Sequence, residues 1–454
     1  MDIATLQYTH DKHTEHLRDW AFWGLAYSGG TTFIDYSLAK HTRESETNWK
    51  ARQDEGICFN YSSIVIDLFN FYLTEKPAVR DLGTLASDNL WDMFLKDSDL
   101  YGTNFDVFLN EAQKMAAIYG AVGVLIDKPN SQNEVLKDDI QQGLYPYCAL
   151  FTLPNILDWT HERDPITNRP TLTYLKLLDF DNRYLLWWPD RWEIWILPEG
   201  SPTPFKVHKH KDVTDYKPKP GDNKWADEPG KTYLSALDGG EEPILVAEGD
   251  NPLGEIPFLW FQNIKSVTDP YIGVSDIKEI SRITASIVRN ISYGEEVIKF
   301  AGFPQARRPM AKEGEEINNE AGVTAILEFD PEMGADGKPD WLESEVLEPV
   351  TAILDWINKK IGETFQLAHL SGIHAHEKSD QVRSGVALRY EYQQLSLVLS
   401  KKSENLTETE LGIIKYWLKW QNKDNIFKNI RISRSKDFSI DDLSQNLENA
   451  IMAD

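Results

Sequence analysis

The chain has 454 residues, 41% of them hydrophobic and 26% charged, the balance of an ordinary folded protein with room for about two to four domains. With 47 lysines and arginines against 72 aspartates and glutamates, the net charge is −25, which excludes a protein that wraps nucleic acid by releasing counterions from phosphates. No apolar run approaches the roughly eighteen residues of a membrane span. Met1-Asp2-Ile3-Ala4-Thr5 opens without a basic segment or an apolar signal core, so secretion is not expected.

The first 130 residues read as mainly helical. An aromatic-rich helix with Trp20, Trp23 and Tyr27 runs from His10 to a stop at Gly29-Gly30. Tyr36-Ser37-Leu38 precedes Glu44, Glu46, Trp49 and Arg52. Asn60-Tyr61 opens an amphipathic helix through Ile64, Leu68, Phe69 and Tyr72, closed by Lys76-Pro77. Another helix runs from near Thr103 to Tyr119, ends at Gly120, and leads into a buried strand, Gly123 to Asp127. Cys58 and Cys148 sit among apolar residues and suit free thiols in a reducing compartment.

From Pro146 to Leu197 the apolar period shifts toward two. Leu172, Tyr174 and Lys176 alternate, and turns at Asp181-Asn182 and Pro189-Asp190 separate Tyr184–Trp188 from Trp192, Ile194 and Ile196, an antiparallel meander. Its tryptophans favour core and inter-subunit packing over a sugar-stacking platform. Residues 198–243 read as a surface excursion rich in Pro, Lys, Asp and Gly, after which Asn251 to Phe258 restores an apolar strand.

Two long helices follow. The first, Tyr271 to Ala301, carries Ile277, Ile280, Thr284, Ile287 and Ile291 at alternating three- and four-residue steps. The second, Glu345 to Leu370, repeats the pattern with Val346, Val350, Ile353, Ile357 and Ile361. Each reaches about 40–45 Å at 1.5 Å per residue. Thin apolar stripes with polar backs are expected to pack side by side in an assembly. Between them, Phe303 to Ser344 is broken by proline and glycine around a strand at Val323–Phe329. A polar loop, Ile373 to Arg383, then leads into a third long helix, Val386 to about Trp420, with Leu388, Tyr392, Leu395 and Leu399 on one stripe. A short strand at Asn429–Ile432 and a small helix capped by Ser439 and Asp442 end the chain.

Motifs for bond chemistry are weak. Gly230-Lys231-Thr232 resembles the end of a phosphate loop, but Trp225 stands where its first glycine belongs. His10, His13 and His16, the pair His208 and His210, and the pair His374 and His376 have no further ligands at metal-site spacing. Acid pairs such as Asp190 with Glu193 or Asp179 with Asp181 are coincidental among 72 acids, and no Gly-x-Ser-x-Gly elbow occurs. No catalysis, cofactor or metal is expected.

This order of elements, with Ser384-Gly385-Val386-Ala387-Leu388-Arg389-Tyr390 as its most specific segment, resembles the portal proteins of tailed double-stranded DNA bacteriophages. Further matching pieces are the aromatic–leucine site at Tyr36–Leu38, the downstream acid and arginine, the helix led by Asn60 and ended at Lys76-Pro77, and Gly254-Glu255-Ile256-Pro257. The resemblance implies an α+β multidomain architecture: a wing at 1–270, stem helices at 271–302 and 345–371, a clip at 303–344, a channel loop at 372–384, a long wing helix at 385–425 and a short crown or tail at 426–454. It also implies a ring at one capsid vertex, typically of twelve copies, assembled in the host cytoplasm.

Through that ring double-stranded DNA would enter during packaging and leave at ejection, without sequence-specific contacts. Partners would be the terminase large subunit, the head–tail adaptor, the major capsid protein and a scaffolding protein, with no membrane. By the same resemblance His374, His376, Lys378 and Arg383 lie in a channel loop that touches DNA phosphates. The expected inter-subunit seam is Ile277, Ile280, Ile287, Ile291, Val350, Ile353, Ile357 and Ile361. The acidic balance suits a wall to which DNA does not adhere. The tail departs from the pattern, since fewer than forty residues follow Trp420. Two other readings stay open: a carbohydrate-active enzyme on the Trp-rich meander, and a different virion structural component.

Overall fold

The structure is a computed structural model. It describes residues 1–129, 142–179, 183–197, 242–302, 305–307, 340–342, 347–370, 385–436 and 438, apart from Asp2 and Arg43. The chain forms two compact units. The first holds Met1–Ser28, Ser62–Ser281 and Ala368–Asp454, the second Gly29–Tyr61 and Arg282–Leu367. Residues 29–61, placed with the first 270 by sequence, therefore belong with the two long helices.

The described helices are α1 (Ile3–Gln7), α2 (Asp11–Ser28), α3 (Gly30–Ser37), α4 (Glu46–Asp54), α5 (Tyr61–Thr74), α6 (Asn89–Lys96), α7 (Phe105–Tyr119), α8 (Ile280–Gly302), α9 (Leu347–Leu367) and α10 (Gly385–Trp420). The strands are β1 (Val79–Asp81), β2 (Ala121–Asp127), β3 (Tyr147–Thr152), β4 (Ile156–Arg163), β5 (Pro170–Leu178), β6 (Arg183–Trp187), β7 (Arg191–Ile196), β8 (Ile244–Asp250), β9 (Phe258–Gln262), β10 (Gln305–Arg307), β11 (Asp340–Leu342) and β12 (Arg431–Ser433). All described sheets are antiparallel, and the fold is α+β.

In the first unit, β2 lies between β3 and β9, and its residues Ala121–Ile126 are buried, which accounts for its unbroken apolar run. α7 covers this sheet. The Asn104 side chain accepts the Val107 N–H at 2.9 Å and starts the helix, and Phe105, Phe108, Leu109, Ala112 and Ala116 form its buried stripe. Trp91 of α6 and Trp417 of α10 meet edge to face at 5.0 Å in the same core. The second sheet runs β4-β5-β6-β7-β8. Lys176 stands where the alternation places it, yet it is buried, and its ammonium donates to the carbonyls of Thr5 (3.0 Å) and Tyr8 at the end of α1. Burial pulls its pKa down to about 8.

Sequence and structure part at several places. The strand expected from Asn251 starts only at Phe258, because the Asn251 side chain turns the chain, donating to the Glu255 carbonyl at 2.9 Å and accepting the Leu253 N–H at 3.1 Å. The first long helix begins at Ile280, not Tyr271. Side chains capture the backbone before it: Asp269 accepts the N–H groups of Tyr271 and Ile272, Asn263 donates to the Val274 carbonyl, and Ser275 donates to that of Ile118. Gly120 and Gly273 touch there, a Cβ on Gly120 falling 2.5 Å from the Gly273 carbonyl oxygen. The second long helix, α9, ends at Leu367, short of Leu370, while Glu345 and Val346 lie outside the described residues. β8 was not anticipated, because a bulge opposite Ile194 and Trp195 breaks its alternation. β1 and β12, about 350 residues apart, pair into a ribbon tied to α10, with Arg80 and Arg434 both donating to the buried Glu410 carboxylate.

Another buried pair closes this unit. Lys402 of α10 is wholly buried and donates to Asp276 and Asn263, with its ammonium 5.1 Å from the Phe69 ring centre. Cys148 is buried and Cys58 half-buried, and both are free thiols. The excursion at 198–241, the strand expected at Val323–Phe329, the channel loop and the small C-terminal helix lie outside the described residues.

Candidate functional site: a two-helix hairpin

The second unit is built around α8 and α9. Lys360 Nζ donates to Ser286 Oγ at 2.7 Å, and a Cβ on Gly294 would lie 3.6 Å from Ile353 Cγ2. Eight residues forward along α8 match seven backward along α9, so the helices run antiparallel. Just past α8 and before α9, β10 and β11 pair in register, Gln305 with Leu342 and Arg307 with Asp340. The described part is therefore a helical hairpin whose chain passes through a two-stranded ribbon between its arms.

The proposed seam residues sit elsewhere than expected. Ile277 is in the turn before α8 and wholly buried, Ile280 is 2% exposed, Ile287 is wholly buried, and Ile357 is 9% exposed. Ile291, Val350, Ile353 and Ile361 are half-buried. Four of the eight, Ile277, Ile280, Ile287 and Ile357, are thus covered within the single chain, and the other four keep part of their surface open. A stripe at helical spacing reports burial and says nothing of which chain supplies the cover.

Short helices brace α8. Arg52 of α4 holds Glu44 with two parallel hydrogen bonds, Nε to Oε1 at 2.9 Å and Nη2 to Oε2 at 2.7 Å, both side chains almost fully buried. The same guanidinium donates to the Ala39 carbonyl at 2.8 Å, meets Ser292 Oγ at 3.4 Å, and lies 3.9 Å from Glu296 on α8. Its bonds to Glu44 hold that carboxyl below the ordinary glutamate value. The acid and arginine singled out in the sequence are thus brought together. Farther along, Lys299 reaches Glu55 at 3.1 Å.

Sequence reasoning missed the outward side of the hairpin. Leu354, Trp356 and Ile298 are 53%, 50% and 52% exposed. The ammonium groups of Lys359 and Lys360 lie 5.5 and 5.2 Å from the Trp356 ring centre. Arg289 approaches closely enough to disfavour the charged form of Lys360, already weakened by burial, and its Nε is buried without a hydrogen-bond partner. The one signal in the sequence was that large apolar residues, Leu354 and Trp356, stand off the stripe on faces expected to be polar.

The other candidates fare differently. His374, His376, Lys378 and Arg383 lie outside the described residues. On the meander, Trp187 is buried and Trp192 and Trp195 are half-buried, while Glu193 accepts from Trp195 Nε1 at 2.8 Å and faces Arg191 at 3.3 Å. A carboxylate so engaged is held for packing. Among the described residues no group of His, Cys, Asp and Glu is placed to hold a metal, and no helix is long and apolar enough to cross a membrane.

No protein-family model matches the chain, and no curated protein matches it. A chain of the solved virion of a native gene transfer agent (GTA) particle aligns over 95% of this chain and 93% of its own length, at 8% identity and a TM-score of 0.37. A TM-score that low does not establish a shared fold.

Proposed function

We propose that this protein is a phage portal subunit: a ring at one capsid vertex through which double-stranded DNA passes, and on which the terminase and the tail connector dock. The observation that carries the reading is the hairpin. An antiparallel helix pair is interrupted by a β ribbon and followed by a long helix that begins at Gly385, inside the Ser384–Tyr390 segment. Those elements stand in the order of stem, clip, stem and long wing helix. In this reading the protein is a conduit and does no bond chemistry. Its net charge of −25 per copy keeps the wall from adhering to a duplex that carries about one charge per 1.7 Å.

Electron microscopy of the purified full chain tests the proposal. A ring with a central opening wide enough for a duplex is expected. Particles that remain single compact subunits at high concentration would overturn it.

A further inference from the structure

We infer that the two flanks of the α8–α9 hairpin dock on each other between successive copies of this chain, with Trp356 of one copy seated on the Leu354 side of the next. The inference rests on the ring reading and deepens it by naming the partner surface. The stripe residues of α8 and α9 are buried or half-buried, whereas Leu354, Trp356 and Ile298 on other faces are at least half exposed, so those faces offer a neighbour the more open apolar side chains. Leu354 and Trp356, two positions apart, project roughly 160° apart around a helix axis. A ridge of half-buried Ile353 and buried Ile357 and Thr364 runs between them. One helix therefore shows a half-exposed large apolar side chain on each flank.

The flanks differ in chemistry. Beside Trp356 stand Lys359, Lys360 and Arg289. Neither Lys359 nor Arg289 is in an ion pair among the described residues, although Asp355 and Glu363 are each four positions from Lys359. Glu348 and Asp355, exposed and likewise in no ion pair among the described residues, stand on the outward side between the flanks. A cationic, aromatic patch on a chain with 25 excess negative charges is complementary to another copy of that chain. Tryptophan and arginine are also the residues that most often dominate protein contacts. The exposed Leu354 and Ile298 favour a protein over a duplex, whose backbone offers phosphates and no apolar cover. Two unlike faces on opposite sides of one element make a head-to-tail contact, which closes into a ring when the rotation per copy divides a full turn.

The test uses full-length Trp356→Asp and Leu354→Asp, each checked for a wild-type circular dichroism spectrum and melting temperature; if either unfolds, Trp356→Gln and Leu354→Gln replace them. Each variant alone should run as a monomer by native mass spectrometry at a concentration where the wild type is a ring. Each keeps one good flank, so mixing the two should yield one-to-one dimers and no rings. Rings from either variant alone, or no dimer in the mixture, would overturn the inference while leaving the portal reading intact. Intact rings of Trp356→Asp with weakened duplex binding would assign the patch to DNA and also overturn it. A wild type that never forms rings would sink the portal reading itself.

Discussion

Arg52 and Glu44 face each other across a two-hydrogen-bond fork at 2.7 and 2.9 Å, eight residues apart, with almost no solvent at either side chain. The pair joins the segment before α4 to α4 itself, and the remaining nitrogen, Nη1, reaches Ser292 of α8 at 3.4 Å. Glu44→Ala would leave a buried guanidinium without its counter-charge, so urea unfolding should show a loss of about 3–5 kcal/mol. Because the folded pKa of Glu44 lies below its unfolded value, the pair's contribution is complete above that unfolded value, near 4.5, and is lost as pH falls through the folded one. The acid limb of the stability curve should therefore flatten in Glu44→Gln.

Gly120→Ala tests the junction between α7 and β2. Gly120 has a φ of 94°, and an added Cβ would lie 2.5 Å from the Gly273 carbonyl oxygen. Backbone strain alone costs about 1–3 kcal/mol, and the contact adds to it. A drop in melting temperature is expected, larger than for Gly254→Ala, where the positive φ brings the same kind of strain but nothing lies within 4 Å of an added Cβ.

A histidine gives the weakly acidic range its sign. His161 stacks on Tyr271 at 4.1 Å, and burial lowers its pKa from 6.5 to about 4, assisted by nearby His10. Between those values the unfolded chain holds the proton and the folded chain does not. Stability should then fall as pH drops from 6.5 toward 4. His161→Phe should reduce the slope measured by denaturant titration. Burial shifts His13 in the same direction, so part of the slope should remain.

Ile287→Asp separates packing within the chain from packing between chains. Ile287 is wholly buried in the monomer. The substitution should lower the stability of the isolated subunit by more than about 4 kcal/mol, since it buries a carboxylate without a partner. A variant monomer as stable as the wild type would return Ile287 to the surface.

The loop carrying His374, His376, Lys378 and Arg383 is assigned to the channel by resemblance. Deleting His374 to Asp380 should leave rings intact in electron micrographs and reduce the DNA retained per particle. Wild-type packaging would remove His374, His376 and Lys378 from the channel.

The legible parts of the fold were those written in local pattern. Gly120 marks the end of α7, and the turns around 181 and 190 mark a meander whose strands pair as expected. The stripes on α8 and α9 were legible as stripes, but Ile287 cannot signal whether Ile357's helix belongs to its own chain or another. Contacts made across long separations were not legible at all. Arg80 and Glu410 are ordinary charges until the fold brings them together across 330 residues, and Lys402 looks like any helical lysine until Asp276 is placed beside it. The patch at Trp356 was missed for a different reason: its meaning lies in exposure, which no periodicity reports.

The inward-facing stripes of the hairpin carry a kinetic consequence. In the proposed ring, a hairpin that covers much of its own apolar surface would meet its neighbour as a finished part, and growth of the oligomer would need no chain ordering in the slow step. Association should then bury only modest apolar area and show a small heat-capacity change. Dilution would hand back folded subunits ready for reuse.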